Sequence, residues 1–328
     1  MSASDTRHRL VYTARLPEPI ERELHERYDA IRIERAYLAR LDAGIEALVV
    51  MPSTPLRATA IQSLPASIRI IASYSVGTDH IDLAAAAARG LPVTNTPDVL
   101  TDATADIAML LILSACRQAS RAERELRAGR WRGLSMADVP GIDLAGRSLG
   151  IFGFGRIGQA TARRARAFGM RIVYHGPQRK ADAERELEAR FEPDRKAFLQ
   201  TIDVLSLHAP ATAATRHFID RETLALLRKG SVVVNTARGP LVDDAALIEA
   251  LRSRHLHAAG LDVYDGEPAV NPGYLELDNV TLLPHIGSAT IETRVAMGER
   301  VLANLAAYFA GQPLPNEVRL PGAPRTPE

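Results

Sequence analysis

Short runs of uniformly apolar residues, separated by helical stretches, limit the fold of this chain more than any other feature of the sequence. Several runs, such as residues 47–51 and 232–234, are apolar at successive positions, as in parallel sheets that are buried on both faces. Strands that alternate with helices predict an α/β, doubly wound parallel-sheet architecture. The predicted strands are residues 9–13, 47–51, 69–73, 92–95, 148–153, 171–174, 203–208, 231–235, 260–263 and 280–283. The predicted helices are residues 19–27, 83–89, 103–129, 158–168, 221–227, 244–253 and 291–310.

Composition sets the broad class of protein. The 328 residues are enough for two domains at roughly 150 residues each. A formal net charge of +1 gives no field that would attract nucleic acid or a membrane surface, and no apolar run is long enough to cross a bilayer. The single cysteine, Cys116, rules out an internal disulfide framework and suits a reducing compartment, so we expect a cytoplasmic protein.

The predicted helix over residues 103–129 changes character along its length. Its first half is almost entirely apolar and its second half is rich in Arg and Glu. A buried helix that emerges at the surface has this pattern, and so does a helix that joins two domains or packs against another subunit.

A glycine-rich segment follows the apolar run that ends at Phe152. It reads Gly153-Phe154-Gly155-Arg156-Ile157-Gly158 and opens a helical stretch. In a strand–turn–helix context, glycines at this spacing allow a tight turn, and they let a pyrophosphate approach the backbone at a helix N-terminus. The segment therefore predicts dinucleotide binding, although a purely structural glycine turn would have the same letters.

The next strand should present its last residues to the adenosine ribose. An NAD fingerprint places an acidic residue there, but this chain reads His175-Gly176-Pro177-Gln178-Arg179-Lys180. Arg179 and Lys180 could pair with a 2′-phosphate, which an acidic residue would repel. We therefore expect NADP in preference to NAD, the alternative being a solvated basic turn.

Three later segments each follow a predicted strand and carry a reactive side chain. These side chains are Arg238, Glu267 and His285. Because ligands of open α/β sheets bind outside the carboxyl ends of the strands, the three could converge on one substrate. A cation and an imidazole that can donate a proton would serve the reduction of a carbonyl group by a hydride. No grouping of residues has metal-ligand spacing, so we predict no catalytic metal.

With these segments in view, the chain resembles the D-isomer-specific 2-hydroxyacid dehydrogenase family, and within it the glyoxylate/hydroxypyruvate reductase branch. The resemblance covers nearly the whole chain, and its motifs occur in the expected order. They are residues 75–82, 96–108, 153–158, 235–239, 260–268 and 284–288.

The resemblance implies a role for each matching residue. Arg238 would bind the substrate carboxylate and carbonyl, and His285 would be the general acid or base. Glu267 would hydrogen-bond His285 and favour its charged form. Backbone N–H groups of Val76 and Gly77 would hold the substrate carboxylate. The expected cofactor contacts are Thr104, Gly153, Phe154, Gly155, Arg156, Ile157, Gly158, Gln178, Arg179, Lys180, His208, Ala209, Pro210, Thr215, Thr236, Ala237, Arg238, Asp262, His285, Gly287 and Ser288.

The resemblance also implies an organisation and leaves alternatives open. It implies two Rossmann-like domains with a cleft between them: a discontinuous substrate domain, residues 1–103 and 289–328, and a dinucleotide-binding domain, residues 104–288. A homodimer is expected, with the helix that begins near Ala103 contributing to the interface. A phosphoglycerate, phosphite or formate dehydrogenase is an alternative, although a formate dehydrogenase would carry Gln in place of Glu267. A dinucleotide-sensing binding protein of the corepressor type is another, because such proteins can retain the catalytic residues.

Overall fold

The computed structural model describes residues 7–133 and 141–321 of the chain. It divides into two compact units, the terminal unit (Met1–Leu100 with Ala289–Glu328) and the central unit (Thr101–Ser288). The domains expected from the sequence change over at residues 103/104 and 288/289, and the roles given to them stay predictions.

The strands are short, and each is followed by a helix or a loop that returns the chain to the same edge of its sheet. The strands are β1 (Arg9–Tyr12), β2 (Asp29–Arg32), β3 (Ala47–Val50), β4 (Ile70–Ser73), β5 (Val93–Thr94), β6 (Ser148–Phe152), β7 (Arg171–His175), β8 (Ala189–Phe191), β9 (Val204–Leu207), β10 (Ser231–Asn235), β11 (Leu256–Leu261) and β12 (Val280–Leu282). The α-helices are α1 (Glu18–Arg27), α2 (Ala58–Ser63), α3 (Leu83–Ala88), α4 (Thr101–Arg117), α5 (Ala119–Arg127), α6 (Arg156–Ala167), α7 (Ala181–Leu187), α8 (Arg195–Thr201), α9 (Arg221–Leu226), α10 (Asp244–Arg252), α11 (Pro272–Leu275) and α12 (Ile291–Phe309). Two 3-10 helices are Arg35–Arg40 and Gly239–Leu241.

The terminal unit contains a parallel sheet with the strand order β2-β1-β3-β4-β5. Alternate residues of its central strands enter two different cores: Val49 lies in the core that includes Ile20 of α1 and Leu305 of α12. Leu48 lies in the opposite core. Both faces of the sheet are therefore covered, which explains why strands such as β3 are apolar at every position.

The central unit contains a parallel sheet with the order β12-β11-β10-β9-β6-β7-β8. Counted from β6, this is the 3-2-1-4-5-6 order of doubly wound dinucleotide-binding folds with one more strand at the edge. The chain reverses its direction of winding between β6 and β9, and ligands of such sheets bind at the carboxyl ends of the strands at that point. The predicted fold class, two doubly wound parallel-sheet units, is confirmed.

Several elements differ from the sequence prediction. The predicted helix over residues 103–129 is two helices, because Gln118 adopts a left-handed conformation with φ of 49° between α4 and α5. The Cys116 carbonyl, at the end of α4, accepts a hydrogen bond from Ile142 N–H at 2.8 Å. The predicted strand over residues 260–263 begins four residues earlier, at Leu256, and ends at Leu261.

Two strands are absent from the prediction because they carry little apolar signal. The edge strand β2 has one buried residue, Ala30, among four, and the edge strand β8 has three residues. Short helices such as α7 and α8 were also missed, since seven residues are too few to show a helical period. Within the described residues, no helix combines the length and apolar character that a membrane span requires.

Candidate active site

The glycine-rich segment connects β6 to α6 in the central unit, and two of its glycines are required by packing. A Cβ on Gly153, which has φ of +92°, would lie 2.6 Å from Ala209 N in the loop after β9. A Cβ on Gly158 would lie 2.4 Å from the Gly153 carbonyl oxygen. Side chains at these positions would separate the turn from its neighbours, so both glycines serve the fold itself.

Gly155 differs from the other two glycines of the segment. No atom lies within 4 Å of the position that its Cβ would take, and it is the N-cap residue of α6, with no side-chain cap. The first N–H groups of an α-helix lack partners within the helix and attract anions. An open backbone surface at this place fits the pyrophosphate of a dinucleotide.

Two buried polar atoms lie at neighbouring strand ends. His208 follows β9, and its backbone N–H donates to the Phe152 carbonyl at 2.7 Å. Its Nε2 is 2.8 Å from Ser206 Oγ, whereas its Nδ1 has no partner among the described residues. Burial lowers the pKa of His208 to about 4, so the ring is neutral at neutral pH. Thr236 Oγ1, after β10, is also buried without a partner in the described residues. Buried polar atoms are seldom left unsatisfied, so these two fit a site that a ligand completes.

The turn after His208 is held by its own hydrogen bonds. Thr215 Oγ1 donates to the Pro210 carbonyl at 2.6 Å and accepts from Thr212 N–H at 2.8 Å. Ala209 is buried against the glycine-rich segment. Hydrogen bonds within the turn therefore fix the backbone of this part of the expected cofactor surface.

The turn after β7 carries no acidic residue from Gly176 to Lys180. Gln178, Arg179 and Lys180 are exposed, as a ribose-facing turn requires. The guanidinium of Arg179 pairs with the Glu184 carboxylate of α7, with Nη2 2.8 Å and Nε 3.0 Å from its oxygens.

Arg238 follows β10, and Asn235 holds the loop that carries it. The Asn235 Oδ1 accepts from Ala237 N–H at 3.0 Å, and its Nδ2 donates to the Arg238 carbonyl at 2.9 Å. Asn235 is completely buried, so both ends of its amide are committed to this loop. The guanidinium Nη1 of Arg238 also donates to the Ala237 carbonyl at 2.7 Å.

Gly239 brings this loop against the loop after β11. A Cβ on Gly239 would lie 1.9 Å from the Tyr264 carbonyl carbon and 2.1 Å from Asp265 N, distances that no side chain can occupy. The backbone of one loop therefore lies directly on the backbone of the other. As a result, Arg238 is close enough to Glu267 to lower the pKa of that carboxyl.

Glu267 is hydrogen-bonded on both sides. Its Oε2 is 2.6 Å from His285 Nδ1, and its Oε1 accepts from Tyr264 N–H at 2.7 Å. Burial by itself would raise the pKa of Glu267. The hydrogen bond and charge of His285 outweigh burial, with help from Tyr264 N–H and Arg238, and hold the pKa below its usual range. Glu267 is therefore a carboxylate at neutral pH, and it holds His285 through one ring nitrogen, Nδ1.

His285 has a backbone conformation that side chains seldom adopt. Its φ is 53°, in the left-handed region, and its side chain is 37% exposed. Such a conformation costs free energy and persists only where the surroundings determine it, as happens at functional sites. The following residues are held by Asp262, whose carboxylate oxygens accept from Ile286 and Gly287 N–H, each at 2.8 Å.

Asp262 and Thr104 lie together with Gly287. A Cβ on Gly287 would be 3.2 Å from Asp262 Oδ2 and 3.5 Å from Thr104 Cγ2. Asp262 is 1% exposed, and burial raises its pKa, although the N–H groups of Ile286 and Gly287 act to lower it. The carboxylate thus has a clear part in shaping the loop, and its expected contact with a nicotinamide carboxamide stays a prediction.

Val76 and Gly77 belong to the terminal unit, in the loop after β4. The Val76 carbonyl accepts from Asn95 Nδ2 at 2.9 Å, and the Gly77 carbonyl accepts from Ser75 Oγ at 2.6 Å. No acceptor for the N–H groups of Val76 and Gly77 is found in residues 7–133 and 141–321. The loop is thus fixed through its carbonyls, with two N–H donors left for a ligand.

Comparison with known proteins identifies the family. A sequence model described as "D-isomer specific 2-hydroxyacid dehydrogenase, NAD binding domain" matches residues 109–287. The chain belongs to the D-isomer specific 2-hydroxyacid dehydrogenase family. The resemblance read from the sequence motifs is confirmed.

Relatives in this family are similar over nearly their whole length. A glyoxylate reductase of Thermococcus kodakarensis is 44% identical over 301 residues, 88% of this chain and 90% of the relative. A glycerate dehydrogenase of Hyphomicrobium methylovorum is 38% identical over 310 residues, 92% and 96% of the two chains. A crystal structure of an NADPH-dependent glyoxylate/hydroxypyruvate reductase from Sinorhizobium meliloti, in complex with NADP and malonate, has a TM-score of 0.87 at 36% identity. It covers 95% of this chain and 97% of that chain.

Sequence reasoning missed two residues that shape this candidate site. Asn235, the last residue of β10, holds the Arg238 loop, and an Asn at the end of a strand is a signal for such a side-chain-to-backbone turn. Tyr264 donates to the Leu283 carbonyl at 2.8 Å and so ties the loop after β11 to the end of β12. Nothing in the local sequence marks Tyr264, because its partner is distant along the chain. Within the described ranges, no group of three or more His, Cys, Asp or Glu side chains is placed to hold a metal ion.

The glycine-rich segment gives a prediction that separates packing from ligand binding. Gly158→Ala should destabilise the fold by about 1–3 kcal/mol, because its Cβ would be forced against the Gly153 carbonyl. Gly155→Ala should change stability by less than about 0.5 kcal/mol, yet weaken binding of a nicotinamide dinucleotide, because its Cβ would project into the open space at the N-terminus of α6. Denaturant unfolding and calorimetric titration would measure the two effects. Unchanged dinucleotide affinity in Gly155→Ala would show that the ligand does not approach there.

Proposed function

We propose that this dehydrogenase reduces a small 2-keto acid of the glyoxylate or hydroxypyruvate kind to the D-2-hydroxy acid, with NAD(P)H as hydride donor. The observation that carries the proposal is the grouping of Arg238, Glu267 and His285 at strand ends of the unit that contains the glycine-rich segment. The names of the relatives, glyoxylate reductases and a glycerate dehydrogenase, support the same class of substrate.

Each residue has a part in the proposed reaction. The reduced nicotinamide, when bound, supplies a hydride to the carbonyl carbon of the substrate. His285 donates a proton from its free ring nitrogen to the carbonyl oxygen, and in the reverse direction it accepts that proton. Glu267 keeps the ring oriented and stabilises its charged form through the 2.6 Å contact at Nδ1.

The substrate carboxylate needs donors that do not take part in proton transfer. Arg238 can bind a carboxylate with two parallel N–H groups, and its charge stabilises negative charge that develops on the carbonyl oxygen. The unpaired N–H groups of Val76 and Gly77 are proposed to hold the carboxylate as well.

We also propose NADP as the preferred cofactor. The turn after β7 has no acidic residue to accept hydrogen bonds from a ribose 2′-hydroxyl, and it presents Arg179 and Lys180 in exposed positions. The neighbouring structure from Sinorhizobium meliloti is described as NADPH-dependent. The remaining expected cofactor contacts, among them Thr104, Ala237 and Ser288, stay predictions.

A homodimer in the cytoplasm completes the proposal. Leu110 on α4, Leu126 on α5 and the nearby Trp131 are large apolar side chains with 46%, 58% and 64% of their surface exposed. Exposed apolar side chains in one region of the chain support a contact with a second subunit. Light scattering after size exclusion measures the mass directly.

Cys116 is buried with a free thiol, in keeping with a reducing compartment.

A panel of substrates tests the central proposal. Purified protein should oxidise NADPH or NADH with glyoxylate, hydroxypyruvate or a bulkier 2-keto acid, and chiral analysis of a chiral product should give the D isomer. Phosphite, formate and 3-phosphoglycerate with the oxidised cofactor test the other dehydrogenases. Tight dinucleotide binding without turnover of any substrate would instead favour a dinucleotide-sensing binding protein.

Replacement of Arg179 tests the cofactor preference. Arg179→Ala should weaken NADPH binding about tenfold or more, because it removes charge-assisted hydrogen bonds to the phosphate, and should leave NADH binding nearly unchanged. The measurement is the Kd of each cofactor for both proteins. The preference is wrong if the unaltered protein has the higher kcat/KM with NADH.

Replacement of Arg238 tests substrate binding. Arg238→Lys keeps the positive charge but loses the planar pair of donors, so kcat/KM for the keto acid should fall about a hundredfold while cofactor affinity is retained. Arg228→Lys, in an exposed ion pair with Asp203, is the matched control and should behave like the unaltered protein. Near-normal kcat/KM in Arg238→Lys would remove Arg238 from the site.

Replacement of Glu267 tests its effect on His285 through the pH dependence. The lowered pKa of Glu267 keeps it negatively charged throughout the neutral range, with its Oε2 2.6 Å from His285 Nδ1. Reduction needs the protonated ring and should fall as pH rises, whereas oxidation needs the neutral ring and should rise over the same interval. Glu267→Gln keeps a hydrogen-bonding side chain but removes the charge. The pH at which reduction falls and the pH at which oxidation rises, the two pH limits, should therefore both move to lower values.

The control for this experiment is Asp265→Asn, which removes a charge two residues away that is paired with Arg216 at 3.5 Å. This variant should leave both pH limits unchanged. The measurement is kcat/KM against pH in both directions for the three proteins. Limits that stay fixed or move to higher pH in Glu267→Gln would mean that its charge does not stabilise the protonated ring.

A further inference from the structure

The Glu184 carboxylate, in the first turn of α7, is in contact with Arg179 in the turn after β7 and with Tyr174 in β7. It accepts two-pronged donation from Arg179, with Nη2 at 2.8 Å and Nε at 3.0 Å, and it accepts from Tyr174 Oη at 2.6 Å. The Glu184 side chain is 12% exposed, whereas Arg179 is 68% exposed. The Glu184 carboxylate is thus the buried partner of the pair, and the Arg179 guanidinium is the exposed one.

Tyr174 connects this pair to the glycine-rich segment. It is fully buried in β7, and its ring stacks on Phe154 with 4.1 Å between ring centroids. Its hydroxyl donates to Glu184 and accepts from Lys180 N–H at 2.7 Å. Burial, with the hydrogen bond to Glu184, raises the pKa of Tyr174 to about 12, so the hydroxyl keeps its proton. The turn that carries Arg179 is therefore tied to the segment expected to bind the pyrophosphate.

The pairing leaves part of the guanidinium available. A guanidinium has five N–H donors in a fixed plane. Glu184 occupies the Nε donor and an Nη2 donor, so both Nη1 donors and the second Nη2 donor lie on the other edges of the group. Such an edge can still bind a phosphate with two N–H groups.

We propose that Glu184 is a positioning residue for cofactor selection: together with Tyr174 it holds Arg179 so that the unused N–H groups receive the 2′-phosphate of NADP. This inference rests on the proposed use of NADP. A long exposed Arg side chain loses conformational freedom when it binds, and a side chain that is already held loses less.

The negative charge of Glu184 acts in the opposite direction, because it repels a phosphate. In the proposed arrangement Arg179 separates the two, and water and salt screen charges at an exposed turn. The two effects predict opposite changes in NADPH affinity when the Glu184 charge is removed. If positioning dominates, removal of the Glu184 charge weakens NADPH binding; if repulsion dominates, the same removal strengthens it.

The experiment compares the Kd of NADPH, NADH and adenosine 2′,5′-bisphosphate by calorimetric titration, with no need for a substrate. Glu184→Gln should weaken NADPH and the bisphosphate by about threefold to tenfold and leave NADH unchanged. Asp182→Asn is the matched control, because it removes a negative charge from the same helix turn at a 95% exposed side chain paired only with Arg185 among the described residues. It should leave all three constants within about twofold.

A double variant separates positioning from general damage. In an Arg179→Ala background, Glu184→Gln should cause no further loss of NADPH affinity, since there is no guanidinium left to hold. If Glu184→Gln does not fold, Tyr174→Phe takes its place, because it removes the hydroxyl that anchors the carboxylate and should weaken NADPH but not NADH.

The outcomes distinguish the inference from the function on which it rests. Normal NADPH affinity in Arg179→Ala would overturn the NADP proposal and the role of Glu184 with it. Weak binding in Arg179→Ala together with unchanged or tighter binding in Glu184→Gln would overturn only the positioning role. An equal loss in Glu184→Gln and Asp182→Asn would also overturn it, because the effect would then follow net charge.

Discussion

The candidate site depends on the direct backbone contact between the loops after β10 and β11. Only a residue without a side chain fits at Gly239, since a Cβ there would lie 1.9 Å from the Tyr264 carbonyl carbon. This contact keeps Arg238 beside Glu267, and Glu267 in turn holds His285. A larger residue at Gly239 would separate the cation from the acid–imidazole pair while the sheet beneath could stay intact.

Hydrogen bonds from three buried polar side chains hold the loops that make this contact. Asn235 holds one loop by its amide, Tyr264 joins the second loop to β12, and Asp262 fixes the residues after His285. Each of these groups has its hydrogen bonds inside the protein, so little reorganisation is needed when a charged substrate arrives. The left-handed φ of His285, 53°, is maintained by this support.

The two parts of the expected cofactor surface are linked through aromatic packing. Phe154 in the glycine-rich segment stacks on Tyr174, and the Tyr174 hydroxyl reaches the carboxylate that holds Arg179. The stacking therefore couples the position of the glycine-rich segment to the position of the turn after β7. Rigid coupling of this kind suits recognition of a long ligand by two separate contacts.

The sequence by itself determined the doubly wound class, the glycine-rich turn and the residues Arg238, Glu267 and His285, because these depend on periodicity and on short motifs at strand ends. It did not determine the break at Gln118, which has no Gly or Pro beside it, or the edge strand β2, in which one residue of four is buried. Only the tertiary structure joined Glu184 to Arg179 and Tyr174, and Gly239 to Tyr264, since hydrogen bonds and close approaches between separate segments leave no local pattern. The motifs name the candidate residues, and the packing between loops decides which of them meet.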